Sequence, residues 1–244
     1  MNDETLAAKY LDILKEIDQS YLDPAYPDSK IALGLSGLFL PSASPNYEQA
    51  KNKIMVIGRE TRDWNVLKSE PFTNIEDYVR LSMSKHSVFL NKQLSNTKSA
   101  RGRTFHNFMR RIAAKSGKDG LIYSNLFCFS WGASNPSSSP IFNKIGPMSR
   151  RILEAQIQTL SPDVIIFANG VSSAGFRREC FPVRGEKNVC LNPRNHKSAG
   201  IAESQLWEFD LYGKIKCFRI PHPSARSQKA EEARQYLISI LPDA

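Results

Sequence analysis

Four short apolar runs constrain this chain more than any other feature: IMVIG at 54–58, LIYSNL at 121–126, VIIFA at 164–168 and KCFRI at 216–220. A strand with one wet face alternates apolar and polar residues, so runs of this kind imply strands covered on both faces. Amphipathic helical patterns lie between them. RTFHNFMRRIAAK at 103–115 turns Phe105, Phe108, Met109 and Ile112 inward, MSRRILEAQIQTL fills 148–160, and QKAEEARQYLISIL closes the alternation. Covered strands separated by helices predict an α/β fold, a three-layer α/β/α arrangement around a central, mainly parallel, four-stranded sheet.

At 244 residues the chain suits a single domain. An N-terminal helical arm is expected at about 1–50. It opens with Leu6, Tyr10, Ile13, Leu14 and Ile17 on one stripe of a helix over 4–19, followed by an irregular, proline-containing stretch at 20–53. KHSVFLNKQLSNTKSARGR at 85–103 breaks the pattern and reads as a long, functional or disordered loop. The acidic N-terminus is unlike a secretory leader, and no run approaches the length of a membrane span. A cytoplasmic monomer is expected, with no membrane association. Cys128, Cys180, Cys190 and Cys217 lack the short paired spacings of zinc or iron–sulfur sites. Buried, reduced thiols and no metal or other cofactor are the expectation; a cluster drawn from distant cysteines is the alternative.

The net charge of +9 is unevenly spread. From Arg80 to Lys118 there are ten Lys or Arg residues and no acid, and from there to Arg151 the acid is Asp119 alone. Such a stretch favours a polyanionic partner, DNA, through counterion release. A solvated basic face that merely aids solubility is the competing explanation.

Open parallel sheets bind ligands beyond the carboxyl ends of their strands. The residues there are GRETRDW after the first run, Asn125 at the end of the second, Asn169-Gly170 after the third and HPSARS after the fourth. A carboxylate, an amide and an imidazole are thereby directed to one mouth. Gly58-Arg59-Glu60-Thr61 as a glycine-led turn after a strand, Asn125 in YSNLF, VIIFANGVSSAGF, and His222-Pro223-Ser224-Ala225-Arg226-Ser227 stand in the order of the motifs of the uracil-DNA glycosylase superfamily, which the chain resembles over roughly 50–240.

The resemblance implies a monofunctional DNA glycosylase. It would flip a base out of the duplex and hydrolyse its N-glycosidic bond, leaving an abasic site. Glu60 stands where the family handles the hydrolytic water; a carboxylate there also stabilises positive charge on the sugar. Its bland alternative is a helix cap or a surface Glu. His222 would donate to the departing base as an oxyanion hole does. Gly58 and Asn125 would contact the base, Asn125 reading its edge unless it merely bonds loop backbone. Trp64 or Phe72 would stack on the base, unless both are core. Ser224 and Ser227 would bind phosphate, and Arg226 either enters the duplex or contacts a phosphate. Arg101, Arg103, Arg110 and Arg111 are the candidates for backbone contacts; solvating their helix is the alternative.

Glu in place of the family's Asp or Asn, and the missing proline and tyrosine of the first motif, favour a larger, modified pyrimidine over uracil alone. They extend the resemblance to divergent bacterial members that act against phages with modified bases. Two rivals stay open: a catalytically inactive DNA-binding module of the same fold, and another α/β hydrolase. The second has no phosphate-cradling glycine loop, clustered Asp ligands or nucleophile elbow behind it.

Overall fold

The computed structural model describes residues 2–23, 25, 34–68, 70–96 and 103–244. The chain divides into two compact units. One comprises Met1–Ala43, Arg59–Phe89 and Ser124–Ser161; the other comprises Ser44–Gly58, Leu90–Tyr123 and Pro162–Ala244.

The second unit is organised by a sheet. Its strands are β1 (Ile54–Gly58), β2 (Leu121–Asn125), β3 (Val164–Phe167), β4 (Cys190–Arg194), β5 (Trp207–Leu211) and β6 (Ile215–Arg219), in the order β2-β1-β3-β6-β5-β4. β1 pairs parallel with β3, and β3 with β6, placing Ile57, Phe167 and Arg219 side by side. The carboxyl ends of these three strands therefore form one row. Every residue of β1, β2 and β3 is buried, so both faces of these strands are covered, as their continuous apolar character requires.

The expected four strands form the first four positions of the order, but the sheet has six. β5 runs antiparallel to β6, and β4 antiparallel to β5. The β5–β6 turn carries positive φ at Tyr212 and Gly213, with Lys214 N–H donating to the Leu211 carbonyl. WEFDL does alternate, but β4 beyond Cys190 is exposed and contains Pro193, as suits an edge strand, and gives no apolar signal.

In the first unit, α1 (Asn2–Leu14) buries Leu6, Tyr10 and Leu14 and packs on α4 (Phe142–Leu160). The helix ends earlier than the predicted residue 19. The expected loop at 85–103 is corrected more strongly, because α2 spans Ile75–Ser95 and takes in residues 85–95. Its inward face carries polar residues that a hydropathy pattern passes over. Leu38 N–H donates to Tyr78 Oη (3.0 Å), Leu40 N–H to Ser82 Oγ (3.2 Å) and Ser42 N–H to His86 Nδ1 (3.0 Å). Four helical residues rise about 6 Å and two extended residues about 6.6 Å, so acceptors at every fourth helix position meet N–H groups at every second extended position.

The remaining α-helices of the described residues are α3 (Thr104–Ser116), α5 (Ala174–Cys180) and α6 (Gln228–Ile240), all in the second unit. Phe108, Met109 and Ile112 of α3 are buried as predicted, whereas Phe105 is half-buried.

Candidate active site

In the first unit, the loop after Gly58 is fixed by the Phe127 N–H donating to the Arg59 carbonyl (3.0 Å). The Glu60 side chain, only 2% exposed, is neither a helix cap nor a surface residue. Arg59 donates to it through Nε and through Nη2 (2.7 Å), and Arg62 Nε stands at 3.5 Å. These bonds to Glu60 raise the Arg59 guanidinium above its ordinary pKa, against the opposing effect of desolvation. The site thus holds a carboxylate pre-oriented by guanidinium groups.

Asn125, at the end of β2, is buried. With its amide turned to suit its neighbours, Oδ1 accepts from Thr61 Oγ1 (2.6 Å) and Thr61 N–H (3.3 Å), while Nδ2 donates to the Ser124 carbonyl (3.1 Å). Asn125 and the first loop are therefore brought together, and to read a base the amide must exchange bonds it already makes. Trp64 is buried, donates from Nε1 to the Leu38 carbonyl (3.2 Å) and meets Phe39 and Phe89 edge-on. It also lines a cavity of 520 Å³ with Tyr21, Asp63, Asn65, Tyr78 and Ser130, a cavity that contains neither Glu60 nor Asn125. Phe72 is half-buried and tilted against Tyr78 at 6.0 Å.

In the second unit, the loop after β6 carries His222. Ser224 N–H donates to His222 Nδ1 (3.2 Å), and Ser224 Oγ lies 2.7 Å from the same nitrogen. A backbone N–H can only donate, so the neutral ring carries its hydrogen on Nε2. Gly170, at the exit of β3, has φ +77°, and a Cβ there would stand 3.3 Å from His222 Cβ; glycine permits this close approach. Ser224 orients the imidazole, and Ser227 caps α6 by accepting from Ala230 N–H (3.2 Å), so both expected phosphate ligands hold the loop itself. Arg226 is exposed and pairs with no described residue.

Two residues near His222 escaped sequence reasoning. Phe105 lies 5.9 Å from the His222 ring, tilted by 32°, and contacts Tyr123 at 5.1 Å. His106 meets Tyr123 edge-on, and burial, followed by the charges of Arg110 and Arg103, pushes its imidazole down to about 4. Nothing in RTFHNF marks either residue as near a site; Phe105 reads as core and His106 as helix surface.

The basic candidates separate by role. Arg103 is exposed, while Arg110 donates to the Gln93 carbonyl (3.1 Å) and to Asn107. Arg111 pairs with Glu231 (2.9 Å), which also holds Arg234, and Arg234 donates to the Ala225 carbonyl (3.0 Å). α3 is thereby linked through α6 to the His222 loop. Arg101 lies outside the described residues.

The four cysteines are buried free thiols; burial pushes Cys128 up to about 12 and Cys190 up to about 11. Among the described residues, no group of three His, Cys, Asp or Glu could hold a metal ion, and no helix is long and apolar enough to cross a membrane.

The sequence profile of the Uracil DNA glycosylase superfamily matches residues 45–244. The chain belongs to this superfamily. Members of the superfamily are typically DNA glycosylases, hydrolases that act on DNA. The match takes in the first loop, Asn125 and the His222 loop. No curated protein matches the chain.

Proposed function

We propose that this superfamily member is a monofunctional DNA glycosylase that hydrolyses the N-glycosidic bond of a flipped-out pyrimidine, uracil or a modified one, and leaves an abasic site. The observation that carries the proposal is the state of His222: Ser224 occupies Nδ1, so the neutral ring offers Nε2–H as a donor. As the bond to C1′ breaks, its electron pair leaves with the base, and an N–H donor aimed at the base carbonyl stabilises that anion. The resemblance assigns the opposite charge to Glu60. Its carboxylate stabilises the cationic sugar and orients the water whose oxygen bonds C1′, with the water proton passing to Glu60 or to solvent. Arg59 and Arg62 hold that carboxylate in the DNA-free protein, and phosphates of a bound strand compete for both guanidinium groups.

Release of a modified base is supported by Glu60 in place of a shorter acid and by a first motif that lacks the blocking tyrosine. A role in defence against phages with modified DNA follows from that substrate. The test is incubation with uracil-containing and modified-pyrimidine DNA followed by alkaline cleavage of abasic sites. Wild-type protein is expected to cut at least one substrate, with Glu60→Gln and His222→Ala each losing about a hundredfold in rate. Undiminished cutting by both variants would discard these roles.

One observation favours a second function. The Glu60 carboxylate and the Asn125 amide are already occupied by Arg59, Arg62 and Thr61, as in a binding module that never uses them on substrate. DNA binding without release of any base, by wild-type protein and both variants alike, would establish it.

A further inference from the structure

Arg177 in α5 is a buried cation without a paired acid among the described residues. The residue is 5% exposed, Nη1 has no hydrogen-bond partner, and no carboxylate among the described residues pairs with the side chain. Its guanidinium lies over the Phe167 ring at 5.9 Å, a contact that offsets only part of the desolvation of a full charge. The nearby charges increase the cost. Desolvation above all, with repulsion from Arg219 and Arg178 and against the attraction of Cys190, pushes its pKa down to about 10. Arg219 donates to the Ser204 (2.6 Å) and Glu203 (2.9 Å) backbone carbonyls, and the exposed Glu203 carboxylate offsets part of its charge. Arg178 is exposed.

A buried charge left unpaired is strongly destabilising, so the Arg177 guanidinium, which no acid among the described residues pairs, needs a purpose outside the fold. Forked N–H donors match the oxygens of a phosphate, which can satisfy several of them at once. Phe167 and Arg219 are register partners at the carboxyl ends of β3 and β6. The loops carrying Gly170 and His222 leave from those same ends. We infer that Arg177, with Arg178 and Arg219, forms a receptor for a phosphate group, supplied either by a DNA backbone or by free inorganic phosphate.

The test reads binding on the full chain in two arms. In the first, thermal unfolding is followed against increasing sodium phosphate, with sodium chloride of equal ionic strength as the control. Wild-type protein is expected to gain a saturable rise in Tm with phosphate. Arg177→Met should weaken the apparent phosphate affinity about tenfold or more, and the exposed Arg178→Gln a few-fold. In the second, binding of an unmodified oligonucleotide is measured against KCl concentration. Arg177→Met should lower the log–log salt slope by about one relative to wild type. A response confined to the phosphate arm identifies the ligand as free phosphate, and one confined to the DNA arm identifies a backbone phosphodiester. Only the DNA arm rests on the proposed function, and base release from the same preparations reports on that function separately. If both variants track wild type in both arms, the inference is overturned; Arg177 is then a buried charge without a ligand, and Arg177→Met is simply more stable in either salt. Arg177→Lys keeps the charge and, should the Met variant not fold, must retain a weakened phosphate response for the receptor to stand.

Discussion

His106 shows how far a single residue departs from what its local sequence implies. Half-buried beside Arg110 and Arg103, its imidazole is held neutral down to about pH 4, whereas in the unfolded chain it takes up a proton near 6.5. The stability it contributes is full above about pH 6.5 and is lost as the pH falls towards 4, because the unfolded state then binds the extra proton. Urea midpoints at pH 7 and pH 5 should therefore show a drop in wild-type protein that His106→Phe reduces. Equal drops would show that the residue does not titrate in this way. Glu60 and His222 make a complementary point. Each was identifiable as a chemically apt residue after a strand, yet Arg59 on one and Ser224 on the other define what each can do, and neither contact follows from spacing alone.

At the level of elements, α2 is where local pattern and tertiary structure part company. Tyr78, Ser82 and His86 repeat every four residues and serve the extended backbone at 38–42, so the inward stripe of the helix is partly polar and its C-terminal half reads as a loop. Ser82 is fully buried, accepts from Leu40 N–H and donates to the Leu38 carbonyl (2.6 Å). Ser82→Ala leaves buried backbone groups short of partners and is expected to cost about 2 kcal/mol, a Tm fall of several degrees by thermal unfolding. Faster hydrogen exchange at the Leu40 amide should accompany it. A neutral effect on both would mean that the backbone finds other partners. The strands divide in the same way. β1, β2 and β3 are legible because burial on both faces leaves no freedom to be polar, and β4 is not, because an exposed edge accepts almost any side chain.

For the whole molecule, the positive charge concentrated between Arg80 and Lys118 gave the first pointer to a nucleic acid, but structure distributes its work unevenly. Arg110 and Arg111 are engaged in holding helices, whereas Arg103, and Arg226 from the last loop, are exposed. DNA affinity should fall steeply with salt, and Arg226→Ala should weaken binding a few-fold and flatten the log–log slope by about one without changing Tm. An unchanged slope would remove Arg226 from the interface. The amino-acid sequence alone determined the α/β class, four of the six strands and the order of the superfamily motifs, since burial on two faces and residue chemistry at strand ends are written locally along the chain. Only the tertiary structure decided which charges are paired. Arg59 with Glu60, Arg111 with Glu231, and Arg177 with no acid among the described residues are outcomes of where the backbone places each side chain, and that placement depends on packing across the fold.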